Sequence, residues 1–259
     1  MSWKVGTTNV RLGRNAGTTN YSSDATAIGM DAGTTNQASG SVAIGNSAGN
    51  DTQGESSVAI GSDAGMDTQS ENARHMGMNA TAIGPEAGSI NQAGRGVAVG
   101  RSAGYSNLAF AAIAVGSEAG NMDQGSDSVA IGQNASVGSQ STRAVAIGRV
   151  AGQTTQGNSA IAVGSAARLS NQGAGSIALG LNTGAVDQGV RSIAVESETA
   201  GGSQGSYAVA VGNVAATVSQ GENAVAVGSG FRDFVPARQS GRPVRLVSIQ
   251  GLRADAESP

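Results

Sequence analysis

The chain repeats itself every sixteen residues, and that period restricts it to folds built from stacked, near-identical rungs. "SVAIGNSAGNDTQGES" (41–56) is followed at once by "SVAIGSDAGMDTQSEN" (57–72). The residue that closes each "AIG"-like word serves as an anchor. Anchors fall at Gly13, Gly29, Gly45, Gly61, Gly77, Gly84, Gly100, Gly116, Gly132, Gly148, Gly164, Gly180, Glu196, Gly212 and Gly228. Every step is sixteen residues except Gly77 to Gly84, which is seven.

Each place relative to the anchor obeys its own rule. The residue before it is apolar in every copy, as at Leu12, Ile28, Ile44 and Val227. Three before it stands Val, Ile or Thr, except at Arg74, and the residue between is Ala, except at Arg11 and His75. Alternation of this kind predicts a short strand, whose side chains point to opposite faces in turn. The β-branched positions predict a buried face, with Val42, Ile44 and their equivalents turned into the coil.

Eight residues past the anchor stands glutamine, at Gln37, Gln53, Gln69, Gln92, Gln124, Gln140, Gln156, Gln172, Gln188, Gln204 and Gln220. The words between are turn chemistry, rich in Gly, which accepts positive φ without steric cost. One unit therefore reads as strand, turn, strand, turn. The predicted fold is all-β, a parallel β-solenoid with sixteen-residue coils, each paired with the next. At an interstrand spacing of about 4.8 Å, fifteen coils would make a rod of about 70 Å.

Two rows carry the expectations about surfaces. Stacked amides can hydrogen-bond from rung to rung, so the glutamines are expected to form a structural ladder. If Val42 and Ile44 point inward, Ala43 points outward. So would Ala27, Ala59, Ala82, Ala98, Ala114, Ala130, Ala146, Ala162, Ala178, Ala194, Ala210 and Ala226. A stripe of methyl groups that long is seldom left bare, so these alanines are expected to form an interface between copies of the chain.

Composition excludes much. A net charge of −3 does not suit a general nucleic-acid or membrane-surface role, and no partner of either kind is expected. With no Cys there is no disulfide framework, thiolate metal site or thiol nucleophile. No apolar run is long enough for a membrane helix, and "MSWKVGTTNV" lacks the features of a secretory leader. His75 is the single histidine, so neither a metal site nor a Ser-His-Asp set is expected. No cofactor and no catalysis are expected.

The pattern breaks in four places. Residues 1–6 are expected to cap the first coil, through Trp3 and Val5. The repeat domain spans 7–230, with an irregular short coil near 73–84. Between Gly100 and Gly116 the glutamine is replaced by Leu108, beside Tyr105 and Phe110, which predicts a plug or an altered side face. The segment 231–259 departs from the repeat and carries Phe231, Arg232, Phe234, Arg238, Arg242, Arg245 and Arg253. It is expected to close the rod's end, to attach the rod to another protein, or both.

"SVAIGNSAG", "AVAIGRVAG" and "AVAVGNVAA" resemble the head repeats of YadA-type trimeric autotransporter adhesins. The resemblance implies a left-handed parallel β-roll and a side-by-side parallel homotrimer. The sixteen-residue period and the Gln-Gly word depart from that family's fourteen-residue unit, and no counterpart of its leader, stalk or membrane anchor is expected. Similar repeats in phage and large-virus surface proteins make a structural virion component the expected function. Such a fibre, tail or capsid-surface rod would hold other virion proteins through its tail and touch a host receptor. The head of a bacterial surface adhesin is the alternative.

Overall fold

The structure, a computed structural model, describes residues 9–66, 76–167, 170–184, 187–200, 202–215 and 219–229. They form a parallel β-solenoid. Fourteen three-residue strands, from Val10–Leu12 to Val225–Val227, stack into one parallel sheet in which each strand pairs with the equivalent strand of the next coil. The register is strict: Val42, Ala43 and Ile44 face Val58, Ala59 and Ile60. At about 4.8 Å per step this wall is about 60 Å long. The second wall runs along the glutamine row, where Gln37 pairs with Gln53 and Gln140 with Gln156, and where Ile90–Gln92, Ser106–Leu108 and Met122–Gln124 are regular strands.

Sharp corners join the walls, and they need backbone conformations that few residues adopt easily. The coil 41–56 has positive φ at Gly45 (135°), Ser47 (51°), Gly49 (51°) and Ser56 (55°). Asn, Asp, Ser and Gly fill most equivalents, because short polar or absent side chains tolerate the left-handed region best. The anchor is the strictest position. A Cβ added to Gly148 (φ 127°) would lie 2.4 Å from the carbonyl oxygen of Gly164 in the next coil. The repeat thus records a close approach between successive coils, not only a turn.

Alternation is present, but its phase is opposite to the expected one. In the coil 41–56, Ser41, Ala43, Ala48 and Gln53 are buried, while Val42 and Ile44 are half-exposed. The reason is spatial. Two short walls with tight corners enclose so narrow an interior that methyl, hydroxymethyl and one extended amide fill it. A pair of β-branched side chains per coil does not fit and faces outward. A core of alanines with Met76 and Leu108 follows.

The seven-residue step is not a short coil. Val58–Ile60 pairs directly with Thr81–Ile83, so Ile60 and Ile83, twenty-three residues apart, are neighbours. Gly77 is no anchor: it follows Met76, which pairs with Gln53 in the glutamine row. One long coil therefore carries seven additional residues while the sheet continues in register on both sides. Gln69 and His75 lie outside the described residues, as do Trp3, Val5 and the segment 231–259.

Glu196 occupies an anchor with φ 88°, where neighbouring anchors are glycines at 124–130°. Replacing it with glycine lets the corner relax to the common geometry. Glu196→Gly is expected to raise stability by about 1 kcal/mol, visible as a higher midpoint in urea.

Candidate interaction surfaces

The alanine row does not form a surface. Ala27, Ala43, Ala59, Ala82, Ala98, Ala114, Ala130, Ala146, Ala162, Ala178, Ala194 and Ala210 are fully buried within the single chain, and Ala226 is partly buried. They cannot meet a sister chain, and the expected interface along them is withdrawn. A further interior row escaped the sequence reading: Ala32, Ala48, Ala64, Ala87, Ala103 and their equivalents, three past the anchor, are also fully buried. The signal was present in the recurrent "AG" word, which reads as turn chemistry until the narrowness of the coil is known.

The glutamines are interior struts. Gln156 Nε2 donates to the backbone carbonyls of Val145 (2.6 Å) and Ala160 (3.1 Å), spanning its own coil from one wall to the other. The same reach to the residue eleven positions back recurs at Gln37, Gln92, Gln124, Gln172, Gln188, Gln204 and Gln220. Direct amide-to-amide bonds join Gln37 to Gln53, Gln140 to Gln156, Gln188 to Gln204 and Gln204 to Gln220. The ladder is thus a row of cross-braces with intermittent rung-to-rung bonds.

The rungs below Gln37, Gln92 and Gln124 hold Tyr21, Met76 and Leu108 in place of glutamine, and the Oε1 of each of these three glutamines has no hydrogen-bond partner; the same is true of Gln140, Gln172 and Gln188, which do follow a glutamine, so the rung-to-rung bond is intermittent even where the row is unbroken. The first three oxygens sit against glycine backbone instead: a Cβ on Gly120 would lie 2.0 Å from Gln124 Oε1. A Cα–H contact offers weak compensation.

Leu108 is fully buried and continues the glutamine row as a hydrocarbon plug. Phe110, 47% exposed, lies at the next corner with the Arg95 guanidinium 5.3 Å from its ring centre. Near the first coil, Tyr21 is packed against the core, donates to the carbonyl of Val10 (2.9 Å), and stacks under Arg11 at 4.2 Å. Burial raises its phenol above the ordinary value of 10.0, although the Arg11 charge pulls the other way. The fold therefore keeps a proton that the unfolded chain releases near pH 10. This contribution is complete below that pH and is lost as alkali rises through the folded-state value. Phenolate absorbance should show one tyrosine titrating late, and Tyr21→Phe should remove that step.

Two outward faces remain. The glutamine wall presents a polar column on its outside, in which Asn91 donates to Asn107 (3.0 Å) and Asn107 to Asp123 (2.8 Å). The main sheet presents two columns on its outside, the first and third residues of each strand, aliphatic except at Thr26 and Thr81. Ile131 and Ile147 are 38% and 37% exposed. Among the described residues no group of His, Cys, Asp and Glu is placed to hold a metal ion, and no helix is long and apolar enough to cross a membrane. Set against known proteins, the chain matches no family model and no curated protein.

Proposed function

We propose that this chain is a non-enzymatic structural component of a virus particle, a stiff rod on a fibre, tail or capsid surface, built as a left-handed β-roll homotrimer of the YadA type. The observation that carries this reading is the unbroken stack of fourteen in-register strands, braced inside most of its coils by glutamine. Backbone hydrogen bonds run along the axis, as from Val42 to Ser57 (2.9 Å) and from Gly45 to Ile28 (2.8 Å), so stretching the rod breaks many bonds at once. A scaffold of this kind suits a projection better than a reaction centre. The segment 231–259, with its arginines and two phenylalanines, attaches the rod to neighbouring virion proteins, and the free end contacts the host surface.

The test is immunogold labelling of purified virus particles with antibody raised against the rod. Regular decoration is expected, and deletion of 231–259 should abolish incorporation. Label confined to a bacterial cell surface would replace this reading with the adhesin-head alternative.

A further inference from the structure

The first described coil breaks both interior rows at once. Every later strand of the main sheet has alanine at its centre, but Val10–Leu12 has Arg11, which pairs in register with Ala27. Where the next coil places Gln37, this one places Tyr21. The two replacements meet. The Arg11 guanidinium lies 4.2 Å from the centre of the Tyr21 ring. A Cβ added to Gly17 would stand 2.6 Å from Cδ2 and Cε2 of that ring and 3.1 Å from Cδ of Arg11. Both side chains therefore converge on the corner where the next coil seats its glutamine amide, since a Cβ on Gly33 would run into Gln37.

Tyr21 also keeps the function of the residue it replaces. Its hydroxyl donates to the carbonyl of Val10, eleven positions back, which is the cross-brace that Gln156 makes to Val145. The brace is retained, while the ring and the guanidinium add bulk and charge that no inner coil of the described residues contains.

We infer that the Arg11–Tyr21 pair is a cap that ends the stack, so that a coil of a second copy cannot be added on this face. Without a cap the danger is specific. Each coil offers its neighbour the same backbone edge, so the two ends of a uniform solenoid are complementary templates for strand pairing. A contact of that head-to-tail kind does not close on itself and grows into filaments. Terminal repeats of stacked proteins need a polar outer face for the same reason.

Arg11 supplies that face. It stands in the row that is otherwise filled by buried methyl groups, in an interior that holds little beyond alanine and one amide per coil. At the end of the stack the residue is exposed, and its guanidinium stays hydrated above the ring. A coil laid over it would bury the charge among methyls, and the residue it stacks on is a neutral phenol, not a carboxylate. Burying an uncompensated charge is among the most unfavourable events in folding or association. The rods should therefore keep one length, with any axial contact left to the opposite end.

The inference builds on the reading of the chain as a projecting rod. Length is measured on the purified protein and particle location by labelling, so either can fail while the other stands. Arg11→Ala with Tyr21→Gln gives the first coil the interior of the others. The full chain is imaged by negative-stain electron microscopy over a range of concentrations, with circular dichroism as a check on folding. Unaltered rods should show a single length throughout. In the double variant, particles of two or more rod lengths should become about tenfold more frequent. Arg11→Lys, which keeps the charge, should stay at the single length.

If the double variant fails to fold, Arg11→Ala alone decides, because it removes the charge and leaves the Tyr21 brace in place. A folded variant without Arg11 that keeps one length at every concentration overturns the inference. End-joined chains of the unaltered protein overturn it as well, and so does joining of Arg11→Lys as readily as of the variants without the charge.

Discussion

Gly148→Ala should destabilise the rod by about 4 kcal/mol, combining left-handed backbone strain with overpacking against a neighbour that cannot yield. The neighbour is main chain: the added carbon would meet Gly164 oxygen at 2.4 Å and Gly164 carbonyl carbon at 2.6 Å. No side-chain rotation relieves that contact, so the two coils must separate. Because each coil touches only those beside it, the stack is coupled through nearest-neighbour interfaces. Weakening one interface near the middle should therefore also split the denaturation curve, turning one urea transition into two. Gly175→Ala is the control. It shares a positive φ (64°), but its added carbon meets only the Arg191 Cγ at 3.5 Å. Strain alone, about 1 kcal/mol, should be felt there, with a single transition kept.

Gln156→Ala should cost about 3–4 kcal/mol, through a cavity in a tightly filled coil and through polar groups left without their partner. The amide is bonded to two carbonyls, and its oxygen accepts from Gln140 at 2.9 Å. Its removal empties the middle of the coil and strands the Gln140 donor. Gln156→Leu should cost only about 1–2 kcal/mol, because Leu108 already shows that an isobutyl group fits the same row fully buried. The comparison separates volume from hydrogen bonding. A loss as large for leucine as for alanine would show that the cross-brace, rather than the filling of space, holds the coil together. Urea midpoints of both variants supply the answer.

The architecture was legible because the sequence is periodic. The strands, their length, their parallel register and the corners all follow from the spacing of "VAIG" words and from the small or polar residues between them. The direction of the side chains was not. Period-two alternation says that Val42 and Ala43 point to opposite sides, but it is silent on which side is inside. The usual preference for burying the larger residue gave the wrong phase. The decisive fact is the interior width, a property of the closed coil that no single strand contains. Composition pointed the right way, since 3% aromatic residues leave little with which to fill a wide core.

The Gly61–Gly84 coil failed to read correctly for a related reason. "RHMGMNA" imitates an anchor word, whereas the structure places Met76 in the glutamine row. Short words recur on both walls, and only pairing tells them apart. The cross-coil reach of the glutamines was equally hidden. A same-row ladder is visible in a sixteen-residue alignment, but a bond to the residue eleven positions earlier requires the folded coil.

That long coil has a consequence for how such a chain can change over generations. The rungs above and below it stay aligned although one unit carries extra residues, so length on that flank is not policed by the rest of the stack. Insertions there would meet little purifying selection from folding. They are the natural entry point for new loops in a lineage, and a practical place to graft a foreign peptide for display.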